Sequence, residues 1–106
     1  MVNKTANALA ITDTEGLKHS YFADCNFPLT YWVKNTGLKT VRVYLQGGRN
    51  ATLGDMVEIL NEDFAAGDVK ALVIESPYLY VGISAKTLAP AETSTLDAEL
   101  MWVGHI

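Results

Sequence analysis

Apolar and polar residues alternate along most of the chain, which is the pattern of β-strands that bury one face. Alternating runs occupy residues 8–12, 21–27, 29–33, 41–45, 79–83 and 96–102, and residues 71–74 are continuously apolar. Successive side chains of a strand point to opposite sides of a sheet, so each alternating run has one apolar face. Turn residues separate the runs. The pattern predicts a mainly β protein, a small antiparallel β-sandwich or barrel with one short helix.

Two pairs of runs have the spacing of hairpins. A three-residue loop at 35–37 places the apolar residues of both its strands on one face, pairs Tyr31 with Val41 and puts Gly37 in the left-handed position of a bulge. On the opposite face this register makes Trp32 and Arg42 diagonal neighbours, close enough for a cation–π contact. The two strands are therefore predicted to lie side by side in one sheet.

The second predicted hairpin joins the runs at 79–83 and 96–102. Its four-residue loop is Ala89-Pro90-Ala91-Glu92, with Pro90 at the second position of the turn. An even loop length pairs Ile83 with Ala98 and keeps the apolar residues of both strands on one face.

Residues 52–67 have a helical pattern. Thr52 and Asp55 have the spacing of a capping box, and Gly67 suits the end of a helix. The apolar stripe consists of Leu53, Met56, Val57, Leu60 and Phe64. This spacing predicts a helix, but Gly54 disfavours one in its first turn, and residues 56–60 also suit a strand.

Length and charge limit the function classes. The 106 residues predict a single domain, 1–106. The net charge of −4 provides no basic surface for nucleic acid, and no apolar run is long enough to span a membrane. The first seven residues carry one lysine and no long apolar run, so we expect no secretory signal and synthesis in the cytoplasm.

The sequence contains no recognisable catalytic or metal-binding motif. Cys25 is the single cysteine, and neither His19 nor His105 has the spacing of a metal ligand. Gly47 and Gly48 are not followed by the lysine of a phosphate-binding loop, and we expect a flexible turn there. The residues therefore predict no catalytic site, no metal and no cofactor.

Charge is unevenly distributed along the chain. Residues 25–54 include four bases and no acids, whereas residues 55–68 include five acids and no bases. Two zones of opposite charge can join copies of a protein head to tail, or they can neutralise each other within one molecule. The sequence leaves both alternatives open.

Two segments resemble turns of immunoglobulin-like adhesion modules. One is Val33 to Val43, with its Asn-Thr-Gly loop; the other is Leu88-Ala89-Pro90-Ala91-Glu92-Thr93, which has Ala91 where those modules usually have glycine. The resemblance implies a β-sandwich with an adhesive role. In length, sandwich content and lack of disulfides the chain also resembles the small decoration (cement) proteins of tailed-phage capsids.

We therefore expect a non-enzymatic structural protein that buries surface in a larger assembly, most specifically a phage virion or capsid decoration protein. Its partners would be copies of itself and a scaffold such as a capsid, and its location the virion. Aromatic and arginine side chains on the non-core face favour binding between proteins. The predicted interface residues are Trp32, Arg42, Tyr44, Lys34 and Tyr80.

Two alternatives remain from the residues alone. A carbohydrate-binding module could present flat rings to sugars, and the candidate rings are Trp32, Tyr44, Tyr78 and Tyr80. A subunit of an oligomeric enzyme could share a site between copies, with Cys25 or His19 as the reactive group.

Overall fold

The computed structural model describes residues 2–23, 28–75 and 78–102, and within these ranges the chain forms eight β-strands. The strands are β1 (Val2–Ile11), β2 (Gly16–Phe22), β3 (Leu29–Asn35), β4 (Val41–Gly48), β5 (Met56–Phe64), β6 (Val69–Ile74), β7 (Tyr80–Thr87) and β8 (Ser94–Trp102). A single turn of 3-10 helix, Leu53–Asp55, precedes β5. No helix in the described residues is long and apolar enough to cross a membrane.

The strands form two four-stranded antiparallel sheets. Sheet A has the order β1-β8-β3-β6, and sheet B has the order β2-β7-β4-β5. Only β4 and β5 are consecutive strands within one sheet; every other connection between the described strands leads from one sheet to the other. This arrangement is the jelly-roll form of the β-sandwich. The predicted antiparallel sandwich is confirmed, but its strand order differs from that of an immunoglobulin domain.

The hydrophobic core lies between the two sheets and consists of the predicted apolar faces. Burial alternates strictly along β3 and β8, and the same parity holds at the start of β4. The largest fully buried side chains include Leu29, Tyr31, Val33, Val41, Val43, Leu45, Ile83, Leu96 and Leu100. The inward parity of β3, of the start of β4 and of β8 was therefore predicted correctly from the sequence.

The two predicted hairpins are wrong, although their strands exist. β3 and β4 lie in opposite sheets, so Tyr31 pairs with Leu72 and Leu100 and not with Val41. β7 and β8 are likewise in opposite sheets. Two strands that face each other across a sandwich bury their apolar sides as well as two strands that lie side by side, so alternation alone does not distinguish these arrangements.

The predicted helix at 52–67 is also wrong, and the alternative of a strand at 56–60 is confirmed. Thr52 makes no side-chain capping hydrogen bond, and Met56–Phe64 pairs with β4 as strand β5. Leu60 packs against the core and Phe64 is fully buried. Their spacing of four residues fits one turn of helix and also two repeats of a strand, which explains the misleading pattern.

Candidate interaction surfaces

The outer face of sheet A carries an exposed apolar patch around Trp32, which we call the Trp32 face. Trp32 is half-buried and lies opposite Ala71 of β6 and Glu99 of β8. Other apolar side chains on this face are Val69, Ala71, Val73 and Met101, of which the first three are exposed. Lys34 follows Trp32 on the same face, opposite Asp97. The patch is therefore apolar at its centre and charged at its margin.

A bulge in β1 deepens this face beside Trp32. The register with β8 shifts between Ala6 and Leu9, Ala8 has a φ of +53°, and its N–H donates to Asp97 Oδ1 at 2.8 Å. The bulge borders a shallow depression of about 340 Å³. Its lining residues are Thr5, Asn7, Trp32, Ala98, Glu99 and Met101.

The outer face of sheet B, which we call the Arg42 face, is more polar. Arg42 Nε donates to Asp63 Oδ1 at 2.8 Å and Nη2 donates to Oδ2 at 3.2 Å. These hydrogen bonds hold the pKa of Asp63 below its ordinary value and raise the pKa of Arg42. Tyr44 follows Arg42 on this face, and Tyr80 contacts Phe22 edge-on, with 5.1 Å between ring centroids.

The predicted interface residues thus divide between opposite faces of the molecule. Trp32 and Lys34 lie on the Trp32 face, whereas Arg42, Tyr44 and Tyr80 lie on the Arg42 face. The predicted cation–π contact between Trp32 and Arg42 is wrong, because their strands lie in different sheets. That all five side chains point away from the core agrees with the predicted alternation; that they bind a partner stays a prediction.

The basic and acidic zones of the sequence partly neutralise each other within the molecule. β4 and β5 are neighbours, which places Arg42 against Asp63. Two further pairs involve one zone each: Lys70 Nζ lies 3.5 Å from Glu62 of the acidic zone, and Lys39 Nζ of the basic zone lies 3.7 Å from Glu92. Ion pairs this exposed contribute little to stability, about 0–1 kcal/mol each. Among the described residues, Arg49 is exposed and makes no ion pair.

One end of the molecule presents Leu38, whose 90% exposure is the highest among the large apolar side chains described. We call this loop, residues 36–40, the Leu38 tip. Asn35 braces it, because Oδ1 accepts from the Gly37 N–H at 3.0 Å and Nδ2 donates to the Lys39 carbonyl at 2.8 Å. Gly37 does not have the predicted left-handed φ; instead, a Cβ there would collide with Ser94.

The other end contains a cleft of about 400 Å³, which we call the Gly47–Tyr78 cleft. Its lining residues are Gly47, Gly48, Arg49, Asp55, Val57, Tyr78 and Leu79. The Tyr78 ring lies so close to Gly47 that a Cβ there would come within 2.6 Å of it. Gly47 and Gly48 belong to β4 and not to the predicted flexible turn. The sequence signal for this site was the pair Gly47-Gly48, but we interpreted that pair as part of a turn.

Within the described residues, the side chains considered for catalysis do not form a site. His19 Nδ1 lies 2.8 Å from the hydroxyl of Tyr31, which is fully buried. Burial lowers the pKa of His19 and raises that of Tyr31. Cys25 and His105 lie outside the described residues. Within the described ranges, no three His, Cys, Asp or Glu residues are grouped to hold a metal ion.

The rings considered for carbohydrate binding do not share one surface. Trp32 lies on one outer face and Tyr44 and Tyr80 on the other, whereas Tyr78 packs against Gly47 and the core. A continuous platform of these four rings is therefore absent.

No protein-family model matches the chain, and a search of curated proteins found no significant match. Two solved structures are similar to it. A protein from Bacillus endospore appendages, which form a novel family of disulfide-linked pili, aligns with 93% of this chain and 84% of its own length at 13% identity, with a TM-score of 0.62. PirA, known from a crystal structure, aligns with 92% of this chain and 89% of its own length at 11% identity, with a TM-score of 0.57.

At these identities the likeness shows a shared fold and nothing more. The shared fold is a β-sandwich, which a protein of these pili also has. Neither comparison points to a phage capsid or to an immunoglobulin-like module, the more specific resemblances expected from the sequence.

Proposed function

We propose that the chain is a non-enzymatic structural subunit that works by burying surface against copies of itself in a larger assembly. The Trp32 face carries this proposal. A tryptophan surrounded by exposed valines, with Lys34, Asp97 and Glu99 nearby, has the composition of an interface with an apolar centre and a polar rim. Tryptophan is also among the residues that contribute most to binding between proteins.

The similar appendage structure supports the self-assembling form of this proposal. That protein belongs to pili, so a sandwich of this type is compatible with a polymer subunit. Those pili are disulfide-linked, whereas the 106 residues here contain one cysteine. One thiol can form a disulfide with only one neighbouring subunit, but a subunit inside a linear chain contacts two neighbours. We therefore place at least one of the contacts between copies on non-covalent surfaces.

Replacing Trp32 with alanine tests the role of the Trp32 face. We expect Trp32→Ala to weaken self-association about tenfold or more, the usual effect of losing an interface anchor. The domain should stay folded, because Trp32 lies on the outer face of sheet A. Sedimentation velocity across a concentration series measures association, and circular dichroism measures folding.

Asn61→Ala is the control, because Asn61 is exposed on β5 of sheet B, away from the Trp32 face. It should associate as the wild type does. A wild-type chain that is monomeric at every concentration contradicts the proposal. If Trp32→Ala associates as strongly as the wild type, the Trp32 face is not the surface that joins the copies.

A narrower form of the proposal is decoration of a phage capsid by a subunit made in the cytoplasm and carried on the virion. Its support is the resemblance in length and sandwich content to small decoration proteins. Capsid and portal genes beside the gene for this chain would favour it. A purified chain that forms homopolymers but does not co-sediment with phage capsids would contradict it.

A further inference from the structure

We propose that copies also join end to end, with Leu38 of one copy inserted into the Gly47–Tyr78 cleft of the next. This contact rests on the proposed self-assembly but uses different surfaces from the Trp32 face. It identifies the partner at both ends of the subunit as a second copy of the chain.

The Leu38 tip has the properties of an apolar anchor. Leu38 is 90% exposed, yet its backbone is held on both sides by the side chain of Asn35, through Gly37 and Lys39. Asn35 is itself fully buried and donates to the carbonyl of Phe64 at 2.9 Å. An anchor already held in place loses little conformational entropy on binding, which favours affinity. None of the residues that the structure describes covers Leu38.

The cleft suits an aliphatic side chain. Its lining includes the apolar side chains of Val57, Tyr78 and Leu79 together with Gly47 and Gly48. Val57 is 59% exposed and Leu79 is also exposed, so apolar surface remains uncovered there. The cleft has a volume of about 400 Å³ and opens broadly to solvent, so the side chain of a leucine can enter it.

Strand β4 separates the two features. It begins just after the Leu38 tip at Val41 and ends at Gly48 beside the cleft. Eight residues of strand extend about 25 Å, so one subunit cannot bring its own tip into its own cleft. A tip and a cleft at opposite ends make a heterologous contact, and such contacts propagate into a linear chain unless rotation closes a ring.

Each end carries one base and one acid, so opposite charges can meet when two copies dock. Lys39 and Glu92 pair at 3.7 Å beside Leu38, and Arg49 and Asp55 line the cleft. On docking, Lys39 can face Asp55 while Arg49 faces Glu92. Exposed pairs of this kind contribute orientation and partner choice more than affinity, so the apolar insertion supplies the binding.

Two single variants and their mixture test the contact by sedimentation velocity. Leu38→Glu removes the anchor, and Val57→Glu places a charge in the cleft; both positions are exposed, so both variants should fold. We expect each alone to weaken end-to-end association about tenfold or more. In a 1:1 mixture, the intact tip of the Val57→Glu copy meets the intact cleft of the Leu38→Glu copy. The mixture should therefore form larger species than either variant alone but smaller ones than the wild type.

Asn61→Asp is the control for adding a charge at an exposed position, because Asn61 lies opposite Tyr44 within β5, away from the Leu38 tip and the Gly47–Tyr78 cleft. It should assemble as the wild type does. If the wild type assembles and both end variants assemble equally well, the end-to-end contact is wrong and the Trp32 face stands. If both variants are weakened but mixing restores nothing, the pairing of tip with cleft is wrong. A wild-type chain that stays monomeric overturns both proposals.

Discussion

Asn35 is the residue whose side chain does most to join the parts of this molecule. Its Nδ2 donates to the carbonyls of Lys39 and Phe64, and its Oδ1 accepts from Gly37 N–H and from Ser94 Oγ at 2.9 Å. Two donors and two acceptors are the full capacity of an asparagine amide. The amide thus ties β3 and β8 of sheet A to β5 of sheet B.

Asn35→Ala should lower the free energy of unfolding by about 2–4 kcal/mol, because several buried partners lose their hydrogen bonds at once. Urea denaturation measures the change. Asn61→Ala is the matched control: Asn61 is exposed and donates only to Glu58 among the bonds described for its side chain, so its loss should cost less than about 0.5 kcal/mol. Equal effects of the two substitutions would show that the Asn35 network does not stabilise the fold.

His19 makes stability depend on pH. Burial holds its pKa in the folded protein below the ordinary value of 6.5. The unfolded chain therefore binds a proton more readily, and the free energy of unfolding should be fully maintained above pH 6.5 and fall as the pH drops through the folded pKa.

Urea denaturation at about pH 7.5 and about pH 5 tests this linkage. His19→Gln keeps a polar group near the hydroxyl of Tyr31 but does not titrate. We expect the decrease in stability between the two pH values to be smaller in this variant than in the wild type. The same decrease in both proteins would assign the pH dependence to other groups.

At the scale of elements, the turns show where local sequence signals succeed. Pro90 occupies the second position of the turn at 89–92, as predicted, and the Glu92 N–H donates to the Ala89 carbonyl at 3.3 Å. Ala91 follows with a φ of +65°, a conformation usual for glycine. The sequence showed Ala91 where the similar modules usually have glycine, and the structure places this alanine in the left-handed region.

Gly67 is the corresponding position in the turn between β5 and β6. Its φ is +84°, and the Asp68 N–H donates to the Ala65 carbonyl at 2.9 Å. Gly67→Ala should cost about 1 kcal/mol through backbone strain alone, because nothing lies near the added Cβ. Gly54→Ala also adds a Cβ in open space, without a left-handed φ, and should be neutral or slightly stabilising. Thermal unfolding measures the melting temperatures of both variants. Equal melting temperatures would show that a side chain at position 67 causes no backbone strain.

At the scale of the whole molecule, the two sheets decide which surfaces exist. Trp32 and Arg42, expected as neighbours, are separated by the full thickness of the sandwich because β3 and β4 lie in different sheets. The molecule consequently has two distinct outer faces and two distinct ends. Subunits that bridge neighbours need this kind of multiple surface, since several weak contacts add through multivalency.

The sequence alone determined the fold class and the inward side of the strands that alternate most regularly, β3, β8 and the start of β4. Val33, Val41 and Leu45 are buried as their alternation predicted, because the side-chain repeat of a strand is a local property of its backbone. Only the tertiary structure decided which strands are neighbours, whether the segment 56–64 is strand or helix, and that the Gly47–Tyr78 cleft exists. These depend on pairings between residues far apart in the chain, and any register that buries the same apolar sides satisfies the local pattern equally well.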